Sequence, residues 1–239
     1  MTRETGFLNR QITLGGRTRR YMIYVPPEWR PTRRWPVLLF LHGSGERGND
    51  GICPTQVGIG GAIRRFPNRY PCLVVFPQSP RSGHYWNDPA TEAVALAALD
   101  RTIREFRGDP ARVTLTGISM GGYGTWRIAA KFPGRFARIA PVCGGVRIPA
   151  RYGHPTTGLW ALPPNPYAAV ASRLGKLPVW IFHGSADTAI PVMESRRMAK
   201  ALRAAKGRVR YTEYRGVDHN SWDAAYSDPA VARWLCGRG

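Results

Sequence analysis

Short continuous runs of apolar residues recur along the chain, separated by polar and glycine-rich stretches. Val37-Leu38-Leu39-Phe40-Leu41, Leu73-Val74-Val75-Phe76 and Val179-Trp180-Ile181-Phe182 are the clearest of them. Unbroken apolarity over so short a span predicts strands buried on both faces. Residues 112–116, Arg138–Val142 and 208–214 predict further short strands. Residues 19–25 alternate and stop at Pro26-Pro27, and residues 11–14 precede them through Gly15-Gly16, which is a hairpin signal. Elsewhere the period changes. Between residues 91 and 106, Ala93, Leu96, Ala97, Leu99, Ile103 and Phe106 fall largely on one stripe, which predicts an amphipathic helix. Residues 122–130, Pro166–Leu174, 193–206 and 228–235 also predict helices.

Strands alternating with helices imply an α/β fold with a mostly parallel sheet covered on both faces, opened by an antiparallel pair. At 239 residues a single α/β domain is expected. Ligand sites in such sheets lie beyond the carboxyl ends of the strands. The segments just past the strand ends therefore matter most.

After Leu41 comes His42-Gly43-Ser44-Gly45-Glu46-Arg47-Gly48. After the 112–116 strand comes Gly117-Ile118-Ser119-Met120-Gly121, leading into a helix. A strand, a G-x-S-x-G turn and a helix form a nucleophile elbow, which lifts one hydroxyl out of a strained turn. After Phe182 comes His183-Gly184-Ser185-Ala186-Asp187, and after Tyr214 comes Val217-Asp218-His219-Asn220-Ser221-Trp222. The chain order Ser119, Asp187, His219 is nucleophile, acid, base. A serine hydroxyl is a poor nucleophile until a base takes its proton, which is the role for His219. Asp187 would orient that histidine and stabilise its cation. Negative charge developing on an attacked carbonyl needs donors set in advance. The backbone N–H groups of Met120 and Ser44 are the candidates.

Each assignment has a plainer rival. Asp218 is the alternative acid, but adjacent residues seldom orient each other as required. His42 and His183, each before a glycine at a strand end, read as structural groups bonding loop backbone. Glu46 and Arg47 either pair and hold their loop, or contact a substrate. Trp86, Trp160 and Trp222 lie in loops and either line a pocket or cover core. Trp29, Trp35, Trp126, Trp180 and Trp234 read as packing. His84 and His154 carry no signal.

Charge changes this picture little. The net charge is +20, but the basic residues run from Arg3 to Arg238 with pairs as their longest clusters. That dispersion argues against nucleic acid, and an Arg-rich composition follows from GC-rich codons. The four cysteines fit neither a C-x-x-C motif nor a zinc site, and Cys53–Cys72 is a candidate bridge only in an exported protein. No apolar run reaches the roughly 18 residues of a membrane span, so no membrane insertion is expected. Residues 1–7 have no signal-peptide core, so the chain as written reads as cytoplasmic. Nothing in the sequence addresses oligomeric state.

Together these residues resemble the α/β-hydrolase superfamily over nearly the whole chain. Phe40-Leu41-His42-Gly43-Ser44-Gly45-Glu46-Arg47-Gly48, Gly117-Ile118-Ser119-Met120-Gly121-Gly122-Tyr123-Gly124 and Phe182-His183-Gly184-Ser185-Ala186-Asp187 are similar to one bacterial group. Asp218-His219-Asn220-Ser221-Trp222 completes the likeness. The group contains polyhydroxybutyrate depolymerases, feruloyl and acetyl-xylan esterases, and predicted peptidases of prolyl-oligopeptidase type. The resemblance implies hydrolysis of a small-molecule or carbohydrate ester through an acyl-enzyme, with no cofactor or metal. The stretch from Gly145 to Pro166 is too short for a cap domain, so an open site is expected. A small serine peptidase and an inactive hydrolase fold used for binding are the competing expectations.

Overall fold

The computed structural model describes residues 4–81, 85–147 and 164–237. Eight strands form one sheet: β1 (Gly6–Leu14), β2 (Arg17–Val25), β3 (Trp35–Leu41), β4 (Leu73–Pro77), β5 (Gly108–Ile118), β6 (Arg138–Val142), β7 (Val179–Gly184) and β8 (Val209–Tyr214). Their spatial order is β1-β2-β4-β3-β5-β6-β7-β8. β1 pairs antiparallel with β2, and β2 with β4; the remaining pairings are parallel. The helices are α1 (Ile59–Arg65), α2 (Pro89–Glu105), α3 (Met120–Lys131), α4 (Pro166–Leu174), α5 (Met193–Ala204), α6 (Trp222–Ser227) and α7 (Pro229–Leu235).

The continuous apolar strands are buried on both faces because side chains alternate across the sheet. Val37, Leu39 and Leu41 of β3 point to one face, where α2, α3, α4 and α5 pack through Ala98, Trp126, Val170 and Met198. Leu38 and Phe40 point to the other, where α1, α6 and α7 pack through Ile63, Tyr226 and Leu235. Three of the helices start in the same way. Asp88, Asn165 and Asp228 each cap a free N–H of the first turn, and each is followed by a proline at the first helical position. That position needs no N–H donor, so proline fits there without loss.

The predicted β6 and α4 match the structure residue for residue, and the other predicted elements match to within a few residues. The largest boundary shifts are in β1, which begins at Gly6, and β5, which begins at Gly108 after a register shift between Trp35 and Val37. Two short helices, α1 and α6, had no sequence signal. Gly60 and Gly61 weaken the propensity of α1, which forms because its apolar residues dock on the sheet.

Two glycines set the distance between α3 and the sheet. A Cβ on Gly121 would lie 1.9 Å from the Leu41 carbonyl oxygen, and one on Gly117 would lie 2.4 Å from the Gly121 carbonyl oxygen. Neither site has room for a methyl group, and both neighbours are backbone. Gly121→Ala is expected to lose about 3 kcal/mol or more. Gly61→Ala, with only one atom at 3.8 Å, should be neutral or gain up to about 1 kcal/mol from helix propensity. Urea denaturation of the two variants checks this; equal stabilities would refute the close contact at Gly121.

Candidate active site

β5 ends at Ile118 and α3 begins at Met120, so the whole reversal falls on Ser119. Its backbone is left-handed, with φ 52° and ψ −115°. A non-glycine residue holds that conformation only when its surroundings enforce it. Here the Ser119 N–H donates to Val142 O at 3.0 Å and its carbonyl accepts from Tyr123 N at 3.1 Å. The hydroxyl is left to face solvent and the neighbouring loops.

His219 Nε2 lies 2.9 Å from Ser119 Oγ, and His219 Nδ1 lies 2.7 Å from Asp187 Oδ2. Since a carboxylate only accepts, Nδ1 carries the proton and Nε2 is free to accept from the serine. Asp187 is saturated. Its Oδ1 accepts the N–H groups of Ala189 (2.9 Å) and Ile190 (2.7 Å). Its Oδ2 also faces His183 Nε2 at 3.1 Å. Burial alone would raise the Asp187 pKa. The hydrogen bonds from His183, His219 and Ile190 outweigh it and hold the carboxyl well below the usual carboxylate range.

His183 is fully buried. The expectation that it bonds loop backbone holds, since Nε2 is 3.1 Å from Ile190 O. It does more than that. With Nε2 facing two acceptors, the proton sits there, and Nδ1 accepts from Ser195 Oγ at 2.7 Å. The rival acid Asp218 points elsewhere. Its Oδ1 accepts the Thr188 N–H at 2.8 Å and hydroxyl at 3.0 Å, which ties the base loop to the acid loop. Ala186 N–H to Val217 O at 3.0 Å adds a second tie, and Gly216 N–H to Ser185 Oγ at 2.8 Å a third. A Cβ on Gly184 would lie 2.2 Å from Val217 O, so the two loops are in backbone contact.

The Met120 N–H is at the start of α3, and the Ser44 N–H opens the short 3-10 turn Ser44–Glu46. Among the described residues neither N–H has a protein partner, as first-turn donors do not. The Ser44 loop is held from beneath. His42 is fully buried, Nδ1 donating to Gly43 O at 2.6 Å and Nε2 accepting from Ser79 N at 3.0 Å. Burial pushes its pKa down to about 4, so it is a neutral brace. Gln78 donates to Glu46 O at 2.9 Å and accepts from Gly51 N at 2.7 Å. Sequence reasoning missed Gln78 and Ser79. Their position just past β4, in line with the other strand-end loops, was the available signal.

Some expectations need correction. Trp86 does not line a pocket: it is 1% exposed, donates its indole N–H to His42 O at 2.9 Å, and packs on the His42 ring. Glu46 and Arg47 form no ion pair. Arg47 instead bonds Ser44 O at 3.0 Å and lies over the Tyr85 ring. Glu46 is half-buried, and burial pushes its pKa up against the pull of the Gly43 N–H. Trp222 stands edge-on to His219, with ring centroids 5.5 Å apart. Trp160, His84 and His154 lie outside the described residues. The Cys53–Cys72 bridge is not formed; Cys72 Sγ is 2.9 Å from Cys236 Sγ.

Cys143, Asp187 and His219 place potential metal-ligand atoms within 4.8 Å of one another. Both carboxylate oxygens and both ring nitrogens already hold hydrogen bonds. Burial pushes the Cys143 thiol up, away from the thiolate a metal requires. The cluster is accounted for by hydrogen bonding without an ion.

The depressed Asp187 pKa has a consequence for stability. An unfolded aspartate titrates near 3.9. The contribution of the charged carboxylate is present above that value and is lost as pH falls towards the folded pKa. Urea midpoints between about pH 7 and pH 3 should therefore decline on the acid side. Asp187→Asn, less stable at neutral pH, should show a shallower decline. Parallel curves would mean that Asp187 is not held as the anion.

The sheet order and the solved neighbours show the α/β-hydrolase fold, and no large cap domain lies among the described residues. A thermostable esterase of known structure is 30% identical, with a TM-score of 0.79 over 96% of this chain and 62% of its own. An S-formylglutathione hydrolase from Staphylococcus aureus shares the fold at 17% identity, TM-score 0.72, over 98% of this chain and all of its own. Feruloyl esterase B of Neurospora crassa is 27% identical over 118 residues, 45% of this chain and 38% of that protein. The chain spans between 21% and 49% of the length of the curated relatives it matches. The family model described as "Putative esterase" matches residues 13–234, and the chain belongs to that family.

Proposed function

We propose that this chain is a carboxylic-ester hydrolase that works through an acyl-enzyme on Ser119. One observation carries the reading: Ser119 Oγ, His219 and Asp187 form an unbroken hydrogen-bonded relay of 2.9 Å and 2.7 Å. In that relay His219 Nε2 takes the serine proton as Oγ attacks the ester carbonyl. Asp187 keeps the tautomer and stabilises the imidazolium. The N–H groups of Met120 and Ser44 receive the developing oxyanion, each contributing about 3 kcal/mol to the transition state. Collapse breaks the C–O bond, and the proton on Nε2 passes to the leaving alcohol. A water molecule, deprotonated by the same nitrogen, then releases the acid and frees Ser119. No step calls on a cofactor or metal.

The proposed substrates are small-molecule esters and acetyl or aryl esters of carbohydrates. Feruloyl esterase among the named relatives supports the aryl class. The half-buried Trp222, edge-on to His219, offers an aromatic wall for such a group. Glu46, the last residue of the Ser44–Glu46 turn, is the polar candidate for a sugar hydroxyl. Among the described residues no group of the site is placed to recognise a peptide amine, so the peptidase reading has no support of its own.

A fluorophosphonate probe should add its mass to Ser119 and to no other residue. Ser119→Ala and His219→Ala should each lower kcat by about 10³-fold or more with little change in KM. Asp218→Asn should stay within a few-fold of wild type. A panel of p-nitrophenyl esters, feruloyl esters and aminoacyl amides completes the test. Turnover of amides without esters, or no covalent adduct on Ser119, would sink the proposal.

A further inference from the structure

Cys72 and Cys236 are 164 residues apart in sequence, yet their sulfurs are 2.9 Å apart. Non-bonded heavy atoms normally settle at roughly 3.5–4 Å, so this pair is closer than contact distance. Both residues are fully buried. Cys72 immediately precedes β4, and its N–H donates to Tyr70 O at 2.8 Å. Cys236 ends α7, and its N–H donates to Ala232 O at 3.0 Å. Both main chains are therefore fixed by their own local structure, and the sulfurs meet without a long flexible arm. Other contacts seat the end of α7 on the sheet. Thr114 Oγ1 donates to Leu235 O at 2.8 Å and Arg138 Nη1 donates to Trp234 O at 2.6 Å. Among the described residues the one cluster suited to a metal lies at Cys143, not here.

We propose that Cys72 and Cys236 form a disulfide that ties the terminal helix to the central sheet. The oxidant is a low-molecular-weight disulfide. A thiolate of one cysteine attacks it, forming a mixed disulfide and releasing one thiol. The second cysteine, losing its proton, displaces the other thiol and closes the Cys72–Cys236 bond. Two S–H bonds and one external S–S bond are lost. One internal S–S bond and two external thiols are gained. Burial of both sulfurs places this exchange before α7 docks, during folding, and shields the finished bond from reductants. A cross-link closing so long a loop restricts the unfolded chain strongly. The remaining two cysteines stay outside the pair. Cys53 lies on a 3-10 turn beyond β3, and Cys143 lies beneath the triad.

The full chain, unfolded with reductant and refolded with mixed reduced and oxidised glutathione, provides the test. Intact mass under non-reducing conditions should fall by about 2 Da, with two of the four cysteines resisting alkylation in denaturant. Peptide mapping should join the Cys72 and Cys236 peptides. The oxidised protein should melt roughly 10 °C above the reduced protein. A Cys72→Ala, Cys236→Ala double variant should show no such redox-dependent shift. Should that variant fail to fold, the peptide map of the wild type decides alone. Four alkylatable cysteines after oxidative refolding, or a bridge involving Cys53, would overturn the proposal.

Discussion

The backbone contact between the first turn of α3 and the end of β3 is the constraint on which the site depends. Gly117 and Gly121 let the elbow press against the Leu41 carbonyl with no side chain between them. This contact brings Ser119 and the free N–H of Met120 beside the loop that carries Ser44. The proposed nucleophile and oxyanion donors come from strands β5 and β3, which are neighbours in the parallel sheet. A methyl group at either glycine would separate the parts before any chemistry was altered.

Acid and base have a different origin. β7 and β8 run parallel at the far edge of the sheet, and the loops after them are bound to each other by backbone and side-chain hydrogen bonds. Asp187 is held by four donors, of which only His219 is a moving part of the proposed chemistry. The Nε2–H of His183 satisfies a lone pair that would otherwise be left in a dry site, where an unpaired anion is costly. A carboxylate so surrounded is held in one orientation on both oxygens. It can orient His219 without itself taking up the proton.

Much of this was legible in the residues. Continuous apolar runs marked β3, β4 and β7, and the polar segments at the strand ends supplied Ser119, Asp187 and His219 in order. The limits of that reading were physical. α1 and α6 are short and carry little periodicity, so only their packing on the sheet makes them helices. Trp86 was left between two readings because a loop position says nothing of depth; its indole turns inward to reach the His42 carbonyl. Arg47 sits next to Glu46 in sequence, but its reach carried it to carbonyl groups and an aromatic ring instead. The Cys72 partner was invisible because Cys236 lies 164 residues away, a distance only the fold removes. Gln78 and Ser79 come directly after a strand that was recognised, yet their types alone do not announce a bracing role.

The bracing groups explain how an exposed turn can still be precise. Ser44 is exposed, but the residues that fix its turn are not: His42, Gln78, Ser79 and Trp86 are all buried. In the proposed reaction, donors fixed before the substrate arrives need no reorganisation when charge develops, and that is the source of the catalytic value assigned to them. Burial keeps His42 neutral, so the brace holds one proton pattern at neutral pH. Glu46 and Trp222, by contrast, are only half-buried and border the reacting groups without belonging to the relay. In the proposed reaction, precision of attack and choice of substrate thus rest on separate side chains. The second can vary while the first is kept.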